Sequence, residues 1–203
     1  MKPIKNTIWT VLTLLLIPLM GSAQSTQYIL DESSTMVITG TSTIHDWEAD
    51  VEEFNLSVSL NPGLPDQQNP KASVSSLALT VPVQSIESGK GSMNRKIYGA
   101  LQEEEHPEIM FNLTSAERAD TVQSAESFSL GLKGNLNVAG TVKEISFPVK
   151  GTRVGENGYR FEGSYGLNMK DYDIDPPSAI FGTIKSGEEV EIKFNVLLKA
   201  NSN

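Results

Sequence analysis

The sequence of 203 residues contains no cysteine and only two histidines, His45 and His106. Without cysteine the chain has no disulfide, no thiolate metal ligand, no cysteine nucleophile and no lipid-modified N-terminal cysteine. Two histidines are too few for a multi-histidine metal site. The composition therefore excludes several classes of thiol-dependent and metal-dependent function, and we predict neither a metal nor a cofactor.

Basic residues are outnumbered by acidic ones, 16 Lys and Arg against 25 Asp and Glu, which gives a net charge of −9. The basic residues form no cluster anywhere in the sequence. Nucleic acids and anionic membrane surfaces both require a basic face on the protein that binds them. Neither is therefore an expected partner.

The N-terminus has the pattern of a secretory signal peptide. Lys2 and Lys5 precede an apolar run at residues 8–20, and Gly-Ser-Ala at residues 21–23 supplies small residues for cleavage. The alternative is a membrane anchor, but the run falls short of the roughly 20 residues that span a bilayer. We predict a signal peptide at residues 1–23, one domain at residues 24–203, no membrane span after cleavage, and a periplasmic or secreted location.

Alternation of apolar and polar residues dominates the rest of the chain. It is strict at residues 54–60, 130–138 and 190–198, and weaker at residues 34–39, 74–83, 108–115, 144–151 and 159–168. Such alternation predicts antiparallel strands with one face toward an apolar space and the other toward water. The inward positions change parity between Val51 and Phe54, which predicts a bulge at Glu52 and Glu53.

Two other local patterns complete the prediction. Residues 92–102 place Met93, Ile97, Ala100 and Leu101 on one stripe of a short amphipathic helix with Ser92 as its N-cap, and a second helical turn is expected at residues 168–172. The prolines and glycine of residues 61–70 predict a loop, and the Asn-Gly pair at residues 157–158 predicts a hairpin. About eight strands and one helix fit either a sandwich or a closed barrel, and the long strands favour the barrel.

No pattern points to catalysis. The sequence has no Gly-x-Ser-x-Gly motif, and nothing brings two carboxylates together in a pocket. Asp171, Asp173 and Asp175 alternate as in a calcium-binding loop, but Pro176 and Gly182 stand where that loop needs glycine and glutamate. We predict a binding protein with no catalytic residue and no metal ligand.

Four blocks of the sequence resemble the YceI-like family in order and spacing. They are residues 38–48 (Ile-Thr-Gly-Thr-Ser-Thr-Ile-His-Asp-Trp-Glu), 106–111 (His-Pro-Glu-Ile-Met-Phe), 132–143 (Leu-Lys-Gly-Asn-Leu-Asn-Val-Ala-Gly-Thr-Val-Lys), and 169–172 with 188–194. The resemblance covers nearly all of the chain after residue 23. It implies an all-β fold, an extended lipocalin-like antiparallel eight-stranded barrel with one short amphipathic helix, in a periplasmic protein. The implied ligand is a long isoprenoid or another amphiphilic lipid, including a quinone-like or fatty-acid-like one.

The inward positions supply the candidate ligand-lining residues. Alternation alone does not separate a hollow barrel from a packed core, and the resemblance favours the cavity. His45 and Trp47 share the inward parity, so they either meet a polar head group or are core residues bonded to the backbone. The family usually has aromatic residues where this chain has Glu103, Glu104 and Glu105, which predicts a polar rim there. The predicted lining residues are His45, Trp47, Phe54, Leu56, Val58, Leu79, Val81, Phe111, Leu132, Leu136, Phe194 and Val196.

Three functions from different classes remain at this stage. The first is a carrier that holds a hydrophobic small molecule inside the barrel. The second is a non-catalytic β-sandwich module that binds glycan or protein, and the third is a hydrolase, for which the motifs are missing. An edge strand left free by an open sheet would allow a homodimer.

Overall fold

A computed structural model describes residues 26–60, 74–118, 126–179 and 183–201. The predicted signal peptide and the loop predicted at residues 61–70 lie outside the described residues. Within the described part of the chain, no helix is long and apolar enough to cross a membrane.

The described chain forms twelve strands, one α-helix and two short 3₁₀ turns at Val83–Ser85 and Met169–Tyr172. The second of these turns lies where a helical turn was predicted. The helix α1 is Gly91–Ala100, and the strands are β1 (Thr26–Leu30), β2 (Thr35–Ser42), β3 (Trp47–Val51), β4 (Asn55–Leu60), β5 (Val74–Pro82), β6 (Ile86–Glu87), β7 (Glu108–Arg118), β8 (Ser127–Val138), β9 (Thr141–Val154), β10 (Gly158–Asn168), β11 (Ser178–Ala179) and β12 (Ile184–Ala200).

The strands close into an eight-stranded antiparallel barrel. β1 with β2, β3 with β4, and β5 with β6 form three interrupted barrel strands, and β7, β8, β9, β10 and β12 are the other five. The long strand β12 pairs with β10 on one side and with β2 and β1 on the other, which closes the sheet. The predicted barrel is confirmed and the sandwich is wrong. Because the barrel closes, the long described strands are paired on both sides. A homodimer that forms by pairing of free edge strands therefore has no support in the fold.

The parity change between β3 and β4 is an interruption of the strand rather than a one-residue bulge. Val51 and Phe54 are both buried, and the residues between them leave the ladder. The backbone amide of Glu52 donates to the Ser85 carbonyl at 2.9 Å, and the Ser85 hydroxyl donates to the Glu53 carbonyl at 2.8 Å. The neighbouring barrel strand thus takes up the backbone groups that the break releases.

The first barrel strand, β1 and β2, is interrupted in a similar way, and β1 was not predicted. The amide of Asp31 donates to the Leu197 carbonyl at 2.8 Å, and the amide of Leu197 donates to the Ser34 hydroxyl at 3.0 Å. These bonds hold the interruption against β12, where the barrel closes. The five residues of β1 carry too little alternation to reveal a strand.

Two hairpins differ in how they turn. Ala139 and Gly140 both have positive φ, 48° and 78°, between the paired residues Val138 and Thr141, which is the geometry of a type I′ turn. The hairpin predicted at residues 157–158 is present, but its positive φ falls on Gly155. Gly158 instead begins β10, where a Cβ would lie 2.7 Å from the Val154 carbonyl oxygen.

Residue 134 in β8 must be glycine because a larger side chain does not fit there. This predicts that a substitution at Gly134 lowers stability. A Cβ at this residue would lie 2.4 Å from the Asn112 carbonyl oxygen and 2.5 Å from the Phe111 ring. A backbone oxygen cannot move aside cheaply, so we expect Gly134→Ala to lower the free energy of unfolding by about 1–3 kcal/mol. Urea denaturation measures this change in the free energy of unfolding. Gly166→Ala is the matched control, because nothing lies within 4 Å of a Cβ there and it should leave stability unchanged or slightly higher. Equal effects of the two substitutions would contradict the explanation.

The helix α1 packs against the end of the barrel where β2 ends and β12 begins. It begins one residue earlier than predicted and ends two residues earlier, and its N-cap is Lys90 without a side-chain cap. Buried Asn94 accepts hydrogen bonds from the amide and hydroxyl of Ser88 at 2.9 and 2.6 Å. The hydroxyl of Tyr98 lies 3.1 Å from the Gln84 and Ile86 carbonyls and donates to them. These contacts fix the apolar stripe of α1 toward the barrel interior.

Candidate ligand cavity

The barrel encloses a cavity of about 450 Å³. This volume lies within the range of about 300–1,000 Å³ that is typical of small-molecule sites in proteins. The wall consists mainly of the inward side chains of the alternating strands, and α1 adds Met93, Ile97, Ala100 and Leu101. The barrel is therefore hollow, and the predicted stripe of α1 faces the hollow.

All twelve residues that were predicted to line a ligand border this cavity. The strand register explains part of the set, because Leu56 lies opposite Leu79, Leu79 opposite Phe111, and Phe111 opposite Leu136. Directly opposed residues share one face of a sheet, so these four form an apolar belt across four neighbouring strands. Their contact with a ligand stays a prediction.

An aromatic cluster lies at the end of the barrel away from α1. It consists of Tyr28, Phe128, Tyr159 and Phe161. Tyr28 and Tyr159 have ring centroids 5.8 Å apart, and the Phe128 ring lies 6.3 Å from Tyr159 and 6.1 Å from Phe161. Phe161 lines the cavity, and Tyr28 and Tyr159 lie directly opposite the lining residues Val58 and Leu198. Among the described residues, this cluster therefore packs beside the part of the cavity that is farthest from α1.

Glycines in the wall leave room for two of the lining aromatics. A Cβ on Gly163 would lie 2.6 Å from the Phe194 ring, and a Cβ on Gly40 would lie 2.4 Å from the Trp47 indole. Each glycine is directly opposite its aromatic partner in the sheet. The rings therefore lie against the wall and leave the centre of the barrel open. The sequence shows the glycines, but their aromatic partners appear only once the register is known.

Polar residues border the cavity near α1 and at the neighbouring ends of β2 and β12. They come from the end of β2 and the loop after it, the first six residues of α1, β11 and the start of β12. We call this group the polar end; its residues are Ser42, His45, Ser92, Lys96, Ser178 and Ser186. Of these, only His45 was predicted from the sequence.

His45 and Trp47, the two predicted head-group contacts, already have hydrogen-bond partners in the protein. The His45 Nδ1 atom lies 2.8 Å from the Asp46 carbonyl, and because a carbonyl only accepts, Nδ1 donates this hydrogen bond. Trp47 Nε1 donates to the Thr41 carbonyl at 3.1 Å and to the Ser186 hydroxyl at 3.2 Å. The Nδ1 donor of His45 and the Nε1 donor of Trp47 are therefore both used within the protein.

Lys96 is the one residue of the Lys, Arg, Asp and Glu types among the described residues that line the cavity. Its ammonium group donates to the backbone carbonyl of Ser178 and so connects α1 to the segment before β12. Lys96 was not predicted from the sequence, although it lies three residues after Met93 and therefore close to the apolar stripe. A lysine beside such a stripe usually extends into solvent.

The polar rim predicted from the acidic run is wrong. Glu103, Glu104 and Glu105 lie beyond the C-terminal end of α1 and do not border the cavity. The Gln84 side-chain amide donates to the Glu103 carboxylate at 2.6 Å. The run belongs to an outer surface of the barrel, since the cavity side of this segment is supplied by Leu101.

Two tyrosines near the cavity keep their protons. Desolvation by burial raises the pKa of Tyr165, which lines the cavity, and raises the pKa of Tyr172 further. The charge that each phenolate would place near the other hydroxyl adds to the shift of Tyr172. Both side chains are therefore neutral hydroxyls, and they contribute no negative charge to the cavity wall.

The described residues contain no group of three or more His, Asp and Glu side chains arranged to hold a metal ion. Of the alternating acids at residues 171–175, Asp175 is paired with Lys170. The chemistry that this site offers is apolar burial along its length and hydrogen bonding at one end.

Comparisons with known proteins agree with this architecture. The model of the YceI-like domain matches residues 28–198. Among solved structures, BcnA of Burkholderia cenocepacia superimposes with a TM-score of 0.66 at 16% identity, over 83% of this chain and 99% of BcnA. A polyisoprenoid-binding domain from Saccharophagus degradans, implicated in plant cell wall breakdown, gives 0.64 at 13% identity, over 87% and 99%. The YCEI protein of Campylobacter jejuni gives 0.61 at 12% identity, over 79% and 88%.

At these identities the structural likeness is evidence for the fold alone, and no curated protein matches the chain. The family assignment therefore depends on the domain match, which spans most of the sequence and nearly the whole barrel from β1 to β12. The four sequence blocks that resemble the family fall inside the matched residues. The chain belongs to the YceI-like family.

Proposed function

We propose that this protein is a carrier that holds a long isoprenoid or another amphiphilic lipid inside its barrel. The observation that supports the proposal is the cavity itself, which is apolar along its length and polar at one end. An amphiphile has the same distribution of polarity. A hydrocarbon tail suits this apolar cavity better than a sugar does.

The energetics fit a ligand held mainly by its tail. Burial of apolar surface contributes about 0.8 kcal/mol per methylene group, so a five-carbon isoprene unit contributes on the order of 4 kcal/mol before ordering costs. A few such units therefore provide tight binding without any charged contact. The wall around Leu56, Leu79 and Phe194 supplies the apolar surface that this requires.

The proposed place of action is the periplasm or the outside of the cell. This location depends on the signal-peptide pattern of residues 1–23 and on the expectation from the family resemblance. A carrier in an aqueous compartment shields a lipid tail from water between membranes or enzymes. The role requires no catalytic residue, and we propose none.

The test is to recover the ligand. The protein is purified from its host without detergent, extracted with organic solvent and analysed by mass spectrometry. We expect a lipid-soluble molecule in amounts comparable to the protein. The apo protein should then take up a hydrophobic fluorescent probe, which the extracted molecule should displace. An empty protein that also takes up no probe would contradict the proposal.

A further inference from the structure

The cavity wall differs in charge from the rest of the molecule. The whole chain has 25 acidic and 16 basic residues, yet no Asp or Glu is among the described lining residues. Lys96 is the one residue of the Lys and Arg types there. A ligand in this cavity therefore meets a cation at the polar end and no carboxylate anywhere along the described wall.

Lys96 has donors left for a ligand. An ammonium group has three N–H donors, and the described partner of Lys96 is a single neutral acceptor, the Ser178 carbonyl. That bond orients the ammonium group without neutralising its charge. The two donors predicted from the sequence, His45 Nδ1 and Trp47 Nε1, already donate to partners within the protein. The other donors of the polar end are neutral serine hydroxyls, so Lys96 is the one charged donor among the described lining residues.

The polar residues on the cavity side of α1 lie within its first six residues. Ser92 and Lys96 are four residues apart, so they share one face near the start of the helix. Ile97, Ala100 and Leu101 continue the cavity side toward the C-terminal end. A ligand lying along this face would have its head beside Lys96 and its tail against the apolar wall.

We propose that the lipid carried by this protein has an anionic oxygen head group, a carboxylate or a phosphate, which Lys96 binds. This inference depends on the proposed carrier function and narrows it to one class of amphiphile. Hydrogen bonds between an ammonium and an anionic oxygen are about twice as strong as neutral ones. The cavity should therefore prefer an acid over its neutral ester or alcohol with the same tail.

Matched probe pairs test the proposal. cis-Parinaric acid and its methyl ester share a fluorescent tail and differ in head-group charge, and farnesyl monophosphate and farnesol form the corresponding phosphate pair in competition assays. We expect at least one anionic member to bind about tenfold more tightly than its neutral partner. A preference in the first pair identifies a carboxylate, and a preference in the second identifies a phosphate.

Lys96→Met removes the charge and keeps most of the side-chain length. We expect it to abolish the preference for the acid while ester binding stays within about twofold, which also shows that the variant folds. Arg95→Met is the matched control, because it removes one positive charge from an exposed neighbour that does not border the cavity, and it should keep the preference.

The results that would contradict the anionic head group differ from the result that would contradict the carrier function. Equal binding of charged and neutral probes by the native protein would overturn the anionic head group and leave the carrier function standing. The same holds if Lys96→Met weakens acid and ester equally, or if Arg95→Met removes the preference as well. Binding of none of the four probes would overturn the carrier function together with the inference.

Discussion

Leu79→Trp is expected to prevent lipid binding while leaving the barrel folded. Leu79 lies in the apolar belt and packs between the two buried clusters of the core, yet its side chain is half-buried because it faces the cavity. The larger indole has empty space to enter, so the usual cost of overpacking a filled core should be small. We expect the affinity for a hydrophobic probe to fall by more than about tenfold, an order-of-magnitude change of at least 1.4 kcal/mol in binding. Fluorescence titration with the probe measures this change in affinity.

Ala78→Trp is the control for that substitution. Ala78 is the residue before Leu79 in β5 and is exposed on the outer face, because successive side chains of a strand point to opposite faces. The control introduces the same indole outside the barrel and should keep native affinity. If both variants bind the probe as well as the native protein, the ligand does not occupy this part of the cavity.

Phe128→Ala is expected to produce the largest loss of stability. Phe128 is 1% exposed, belongs to the aromatic cluster and lies against Gly151, where a Cβ would be 2.3 Å from its ring. Removal of a fully buried phenylalanine ring leaves a cavity and costs about 3–5 kcal/mol. Urea denaturation monitored by circular dichroism measures the change in the free energy of unfolding.

Phe194→Ala makes the same chemical change at a ring that borders the cavity. Part of this ring already faces empty space, so it has fewer packing partners to lose and its removal should cost clearly less. Removal of ligand before the measurement keeps the comparison to the protein alone. A cost for Phe194→Ala equal to that for Phe128→Ala would indicate that the barrel is packed rather than hollow.

Much of the fold could be predicted from the sequence because a strand with one apolar face repeats every two residues. That signal located β8, β10 and β12 and the inward parity of the lining residues. It could not locate β1, whose five residues do not alternate, or establish that the sheet closes. Closure depends on pairings such as Tyr28 with Ala200, which join distant parts of the chain.

The polar end was harder to predict than the apolar wall. Whether a histidine or tryptophan has a free donor depends on partners such as Ser186, which is 139 residues from Trp47 in the sequence. Lys96 was missed for a related reason. Its position beside the helix stripe fits solvent exposure equally well, and only the contact with Ser178 fixes it at the cavity.

The aromatic cluster has a further consequence for ligand size. A hydrocarbon tail that enters beside α1 meets Phe161 and the neighbouring rings at the other end of the barrel. The depth of the barrel then determines which tail length fits best. Tails shorter than this depth leave apolar wall uncovered, and longer tails must either double back or hold their heads out of reach of Lys96. A homologous series of chain lengths should therefore show an optimum in affinity instead of a steady rise.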